Sequence, residues 1–534
     1  MRVSRRGAVA AGVLLLWVAG LGVLARRELA GRGGAVERLA AMAARVAPGS
    51  AFYAVEQGGT QIGYASSTID TTTSEIRVDD DFVADVPVGG ARHRASASSR
   101  VRLTRGFALK TFSVEVESDA GPLRITGRAD GDSLLFVAVS TNGEPADTER
   151  VVTSGPVLLP TLLPLAVALG ERPRVGARYT LSVFDPTTMA PRPTTIAVRA
   201  ESLFVVDDSA AVDPATKRWS AAHRDTVRAW QIASEAPAGV AATAGSATPG
   251  GSGFTGWVDA DGRIVEMTPP GGFFLRRTAY EMAFENWRLA GLTHATHALR
   301  ADEDIMESTA IAASAPLGEK EVEQLRVRLG GVDLGGYDLN GSRQVLLGNT
   351  LMVIRERPDQ LRAAYSLPLD ESMRATFAAD LAAEPLLQTT NPKIVALARR
   401  LAGGSRDPRV VAERINRWMY DSLAKEITFG LPNAVQVLEA RKGDCNEHAQ
   451  LYIALARAAG IPARPAAGLA WVRGKFYYHA WPEVFLGTWV AVDPTFGEFP
   501  ADAAHLRFVN GGLDRQAELL RLIGKLKIDV LAKK

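Results

Sequence analysis

The stretch Lys442-Gly443-Asp444-Cys445-Asn446-Glu447-His448-Ala449 carries the single cysteine of a 534-residue chain. Leu451, Tyr452, Leu455, Ala456 and Ala459 follow at helical spacing, and Gly460-Ile461-Pro462 stops the pattern. The spacing predicts a largely buried helix with Cys445 at or near its first turn. There the unpaired N–H groups and the macrodipole favour a thiolate and lower the thiol pKa. The thiolate is the nucleophile, so the position has a catalytic rationale. The competing reading is an inert buried cysteine that behaves as a small hydrophobe.

Two later residues weigh against the inert reading. His479 lies in Phe476-Tyr477-Tyr478-His479-Ala480-Trp481-Pro482-Glu483-Val484, and Asp493 in Trp489-Val490-Ala491-Val492-Asp493-Pro494. Both segments are aromatic and β-branched, with Gly487-Thr488 between them, and read as an antiparallel hairpin. A His beside an Asp is a general base with an orienting partner. Pairing parity decides whether they meet. A two-residue turn pairs Leu486 with Trp489 and puts His479 and Asp493 on opposite faces. A three-residue turn pairs Phe485 with Trp489 and places Asp493 diagonal to His479 on one face. The pair thus requires an odd-length turn or a bulge, for which Pro482 is the candidate.

These segments resemble the transglutaminase-like superfamily. The resemblance rests on Gly443-Asp444-Cys445, on Ala454-Leu455-Ala456-Arg457-Ala458-Ala459-Gly460-Ile461-Pro462-Ala463-Arg464, on His479-Ala480-Trp481 with Glu483-Val484, and on Trp489 to Pro494, in that order. It covers roughly residues 376–510. It implies a papain-like core, in which a helix bearing Cys445 packs on a sheet bearing His479 and Asp493. It also implies a thioester acyl-enzyme formed from a protein or peptide amide, with no cofactor. An incoming amine then gives a crosslink, and water gives deamidation or proteolysis. A binding or scaffold protein that keeps the fold without turnover is the alternative.

The backbone N–H of Cys445 is one expected oxyanion donor, and Gln436 and Asn433 are upstream candidates for the second. Trp481 and Trp489 read as hairpin packing, with either one, Trp481 or Trp489, also a candidate wall of the acyl pocket. His448 could mimic a Cys-x-x-His metal pair, but two more ligands are not evident and no metal is expected. Glu447 is expected to complement the helix dipole. Arg464 reads as structural, forming a salt bridge or covering a strand. Asp502 and His505 read as a surface turn, with the rim of the cleft as the alternative.

Outside this region the chain changes character. From about 51 to 300 the period is two: Phe52 to Glu56 and Gln61 to Tyr64 flank one turn, and Trp257-Val258 and Arg263 to Val265 flank another. Pro160 to Gly170 interrupts it as an apolar, buried short helix. Residues 235–256 read as a loop. Val322 to Leu329 and Leu351 to Arg355 add strands, and Gly524 to Val530 alternates as a returning strand. Asn391-Pro392 and Asp407-Pro408 mark two helix starts.

The expected architecture is α+β. It comprises a cytoplasmic stub and transmembrane anchor (1–27), a linker helix (28–49), an antiparallel β-rich domain (50–300), a β-rich connecting region (301–375) and the transglutaminase-like catalytic domain (376–534). The anchor rests on the uncharged run Gly7–Ala25, which would span about 28 Å as a helix, bracketed by Arg2, Arg5, Arg6 and Arg26, Arg27. It predicts a single-pass protein of the inner or plasma membrane with its bulk outside the cytoplasm, and an envelope protein as a possible partner. With 61 basic and 59 acidic residues the chain is too balanced for a nucleic-acid binder. One cysteine excludes intrachain disulfides and multi-cysteine metal sites.

Overall fold

The computed structural model describes residues 45–534, apart from 120, 132–133, 142–146, 154, 170–172, 186–189, 236–253, 269–272, 295–303, 319–320, 385 and 428–432. The expected anchor and most of the expected linker helix lie outside the described residues, as does most of the 235–256 loop. Among the described residues no helix is long and apolar enough to cross a membrane.

Strands between Gly49 and Thr278 form one antiparallel sheet of fourteen among the described residues. The first strand, Gly49–Gln57, sits mid-sheet and pairs with the last, Phe274–Thr278. From that seam the chain order runs outward on both sides. The two edges are consecutive in sequence, Asp147–Val152 and Arg178–Asp185. Between them lies the expected apolar segment, a 3-10 turn at Pro160–Leu162 and a helix at Leu163–Leu169 with every side chain buried. Leu162, Leu165 and Leu169 pack with Ile76, Val101, Phe112 and Val137 of one half of the sheet. Leu163 and Val167 pack with Ile196, Ile232 and Val258 of the other. A helix apolar all round needs apolar neighbours all round, and the sheet curls about it to supply them. The helix Tyr280–His294 packs on the sheet outside this core, against strands Gly49–Gln57 and Thr60–Thr71.

The region 301–375 does not stand apart. In Gln324–Gly330, Leu325, Val327 and Leu329 face inward while Arg326 and Arg328 face out. This strand pairs with Thr350–Ile354 on one side and, on the other, with the returning strand Lys527–Lys533. Its inward residues share a core with Leu469, Phe476, Ala480, Leu506 and Phe508. The connecting region is therefore built into the C-terminal unit.

The centre of that unit is the helix Cys445–Ala458. Leu451 to Ala456 are all fully buried. Helices Pro392–Ala402 and Pro408–Ser422, capped by Asn391 and Asp407 with proline in the first turn, pack against it. It ends where the Ile461 N–H reaches the Ala456 carbonyl and Gly460 takes a left-handed φ of 84°. Its other side lies on an antiparallel sheet ordered Trp489–Ala491, Lys475–Phe485, Ala463–Val472, His505–Asn510.

Candidate active site

Asp444 caps the central helix and makes Cys445 its first residue. The Asp444 carboxylate accepts the Asn446 N–H at 2.8 Å, and Glu447 Oε2 accepts the Asp444 N–H at 2.9 Å. A Cβ on Gly443 would stand 2.4 Å from the Glu447 Cβ, so the approach to the cap needs glycine. Cys445 is half-buried, and its sulfur accepts the backbone N–H of Ala480, the residue after His479.

The hairpin resolves the parity. Phe485 pairs with Trp489 across a three-residue turn, and Pro482 pairs in register with Pro465 without a bulge. The Val492 N–H continues to the Pro482 carbonyl at 3.0 Å, so Asp493 arrives beside the His479 face. His479 Nε2 lies 2.6 Å from Asp493 Oδ2. Phe496 stacks flat on the His479 ring at 4.7 Å and 2°.

Asp493 is fully buried and every lone pair is used. Oδ1 accepts the N–H groups of Thr495 at 2.7 Å and Phe496 at 3.1 Å. Oδ2 accepts from His479 and, at 3.0 Å, from His505 Nε2. Burial alone would raise this carboxyl, but the His479 charge and the bonds from both histidines hold it well below the usual range.

Three expectations are corrected here. Cys445 does not gain a lowered pKa from its helix end: burial pushes the thiol up, and the charges of Asp444 and Asp493 add to this against the Ala480 N–H. Glu447 does not serve the helix dipole as an anion. Burial, then its hydrogen bond with Asp444 and that group's charge, raises it to about 9, so it acts as a neutral cap. Asp502 and His505 are no surface turn. They are 7% and 2% exposed and stand behind Asp493. Sequence reasoning also missed Phe496 and Glu498, which carry no signal outside the loop they close.

The remaining candidates fall around this centre. Trp481 is 1% exposed and packs beside His479 and His505, so it backs the histidines and does not wall an open pocket. Asn433 and Gln436 are buried in a mutual capping box at the start of the helix Ala434–Ala440, the side-chain oxygen of each accepting the other's backbone N–H. His448 Nδ1 donates to its own helix at the Asp444 carbonyl, 2.7 Å away. Arg464 pairs with Glu483 at 2.7 Å and lies over the Trp489 ring. Ligand atoms of His479, Asp493 and His505 fall within 4.8 Å of one another, close enough to hold a metal ion. The two histidines already bond to one carboxylate oxygen, so hydrogen bonding alone accounts for the cluster.

A cysteine at the head of a buried helix, set against a strand that carries a paired histidine, is an arrangement of thiol-dependent enzyme families. The chain carries a transglutaminase-like domain: residues 395–494 match the model of the transglutaminase-like superfamily. Among solved structures it is similar to a proposed cysteine protease from Cytophaga hutchinsonii (18% identity, 41% of this chain and 78% of that one, TM-score 0.27). It is similar to a β-barrel-like protein of a domain of unknown function from Brucella abortus (15%, 44% and 95%, 0.29). A third is the periplasmic domain of TgpA from Pseudomonas aeruginosa (21%, 34% and 76%, 0.23). No curated protein matches the chain.

Proposed function

We propose that the C-terminal unit performs thiol-dependent acyl transfer or hydrolysis on protein or peptide amides through a thioester on Cys445. The observation that carries this is the placement of the Cys445 sulfur against the N–H of Ala480, next to a histidine whose Nε2 is held by a buried carboxylate. With Nε2–H committed to Asp493, the His479 lone pair sits on Nδ1. Nδ1 takes the Cys445 proton as sulfur attacks the amide carbonyl. It returns that proton to the departing nitrogen when the C–N bond breaks. Water or a second amine then resolves the thioester, with His479 again taking its proton. As first helical residue, Cys445 has a backbone N–H with no partner inside the helix, which serves the oxyanion. Gln436 or Asn433 is the proposed second donor. The raised thiol means that the resting group is neutral and that His479 must take its proton within the substrate complex.

That raised thiol is also the one observation favouring a scaffold without turnover. In the catalytic reading the chain works outside the cytoplasm, tethered by its N-terminal segment, on an envelope protein or peptide. Incubation of the chain with a glutamine- and lysine-containing protein, followed by mass spectrometry, tests it. Dimers with loss of ammonia indicate crosslinking, a gain of about one mass unit per site indicates deamidation, and fragments indicate proteolysis. No change in any substrate, with no difference between wild type and Cys445→Ala, would leave the scaffold.

A further inference from the structure

The loop from Asp493 to His505 holds a histidine that the proposed chemistry does not use. His505 is 2% exposed, and both its ring nitrogens face carboxylates. Nε2 lies 3.0 Å from Asp493 Oδ2, and Nδ1 lies 3.0 Å from Asp502 Oδ1. Glu498 Oε2 is 3.9 Å from Nδ1. A neutral imidazole has one N–H and cannot donate to both sides, whereas an imidazolium can. Without a cation between them, two buried carboxylates this close would not both stay ionised.

Asp502 is itself fixed. Its Oδ1 also accepts the Ala504 N–H, and its Oδ2 accepts the Val322 N–H at 3.1 Å. Ala503 N–H reaches the Val322 carbonyl at 2.7 Å. Arg343 and Arg355, from the same connecting region, donate to the Ala501 and Pro500 carbonyls. The region 301–375 thus clamps the segment that presents His505.

We propose that His505 is the positioning residue of this site: an imidazolium bridging Asp502 and Asp493, it fixes the carboxylate that orients His479. The proposal deepens the catalytic reading and rests on it for its consequence. Four groups then act in line, Cys445, His479, Asp493 and His505, with Asp502 as the fixed end. Burial would lower the His505 pKa, but its bonds to Asp493 and Asp502 and the Glu498 charge push it up to about 10. The ring is therefore charged throughout the neutral range. His479 and Trp481 face it from the strand Lys475–Phe485, across Ala463–Val472, and Arg343 adds its charge near Asp502.

The test uses the full chain with nitrogen-15 histidine and iodoacetamide as the probe of Cys445. In wild type the His505 ring nitrogens carry protons from pH 6 to pH 9. A ring with one bare nitrogen at pH 7 would overturn the proposal. His505→Phe keeps an aromatic ring and loses both donors; His505→Gln keeps one. His505→Phe is expected to lose the hydrogen-bonded His479 Nε2 proton signal and to slow alkylation about tenfold at pH 7, with partial recovery in His505→Gln. Wild-type signal and rate in His505→Phe would sink the positioning role, and should that variant not fold, His505→Gln against the wild-type spectrum decides. Two outcomes separate the readings. If no amide is turned over but alkylation still depends on His479 and His505, the proposed reaction fails and the positioning stands. If amides are turned over and His505→Phe alkylates like wild type, the positioning fails alone.

Discussion

The curled sheet and the C-terminal unit bury charge in opposite ways. Among the described residues between 49 and 278 the buried carboxyl side chains are Glu75 and Asp259, each answered by arginine or lysine: Arg77 and Lys110 for the first, Arg277 for the second. Between 433 and 507 the buried carboxyl, imidazole and guanidinium side chains are Glu447, His448, Arg457, His479, Glu483, Asp493, Asp502, His505 and Arg507. Burying polar groups costs free energy unless each is bonded, so a fold concentrates them only where something else is gained. In the sheet the gain is local pairing. In the C-terminal unit most of the charges converge on one thiol and the strand beside it. The comparison locates the chemistry before any reaction is named.

The largest expected effect breaks the comparison at its centre. Cys445→Ala should abolish acyl transfer, a fall of about 10⁴-fold or more, and remove any thioester adduct seen in the intact mass. Persistent turnover in this variant would place the nucleophile elsewhere. Asp493→Asn comes next. It keeps the shape but can present its N–H₂ to His479 and reverse the tautomer, so a loss of about 10³-fold or more is expected with the fold retained. An unchanged rate would mean that Asp493 is packing only.

Glu483→Gln probes the charged core away from the thiol. Glu483 is 1% exposed and joins Arg464 at 2.7 Å to Arg507 at 2.9 Å. Removing its charge leaves a buried guanidinium uncompensated, for a loss of roughly 3–5 kcal/mol. Calorimetry should place that loss in the C-terminal transition alone. Leu165→Ala is the counterpart in the sheet, where it empties space between the helix Leu163–Leu169, the plug of the curled sheet, and the strands around it. About 2–5 kcal/mol should vanish from the N-terminal transition, with Cys445 alkylation unaltered. A slower thiol in that variant would mean the two units are coupled.

Local signals made much of this legible in the sequence. Alternation marked the strands, capping residues before proline marked the helices, and Gly460-Ile461-Pro462 marked the end of the central helix. Whether His479 meets Asp493 depends on the length of one turn, and that turn has three residues. The misses are all long-range. Nothing near His505 tells that the chain folds back over Asp493, because Asp493 lies 12 residues upstream and the nearby Asp502 is held in place from Val322, 180 residues away. The thiol pKa was misjudged for the same reason. The helix end is visible in sequence, whereas the burial against Ala480 and the neighbouring carboxylates are products of packing. Plug-helix burial was legible from composition, but not that the sheet curls around it, since sheet order depends on which strands meet.

The smallest expected effect concerns pH and falls on the C-terminal unit alone. Glu447 has a folded pKa of about 9, raised first by burial and then by Asp444, and an ordinary carboxyl value when unfolded. A raised folded value means stability is full below the unfolded pKa and falls as pH rises toward the folded one. His505, raised to about 10, acts in the same direction from its ordinary value upward. Between pH 7 and 9 both groups are protonated when folded and deprotonated when unfolded, so each removes roughly 1 kcal/mol per pH unit. The C-terminal transition should therefore soften across that window. Glu447→Gln keeps an acceptor for the Asp444 N–H and has no proton to lose, so its slope should be about half that of wild type, with the sheet transition unmoved. Equal slopes in the two proteins would mean that Glu447 is ionised in the fold, and that the central helix carries its anion at the N-terminus after all.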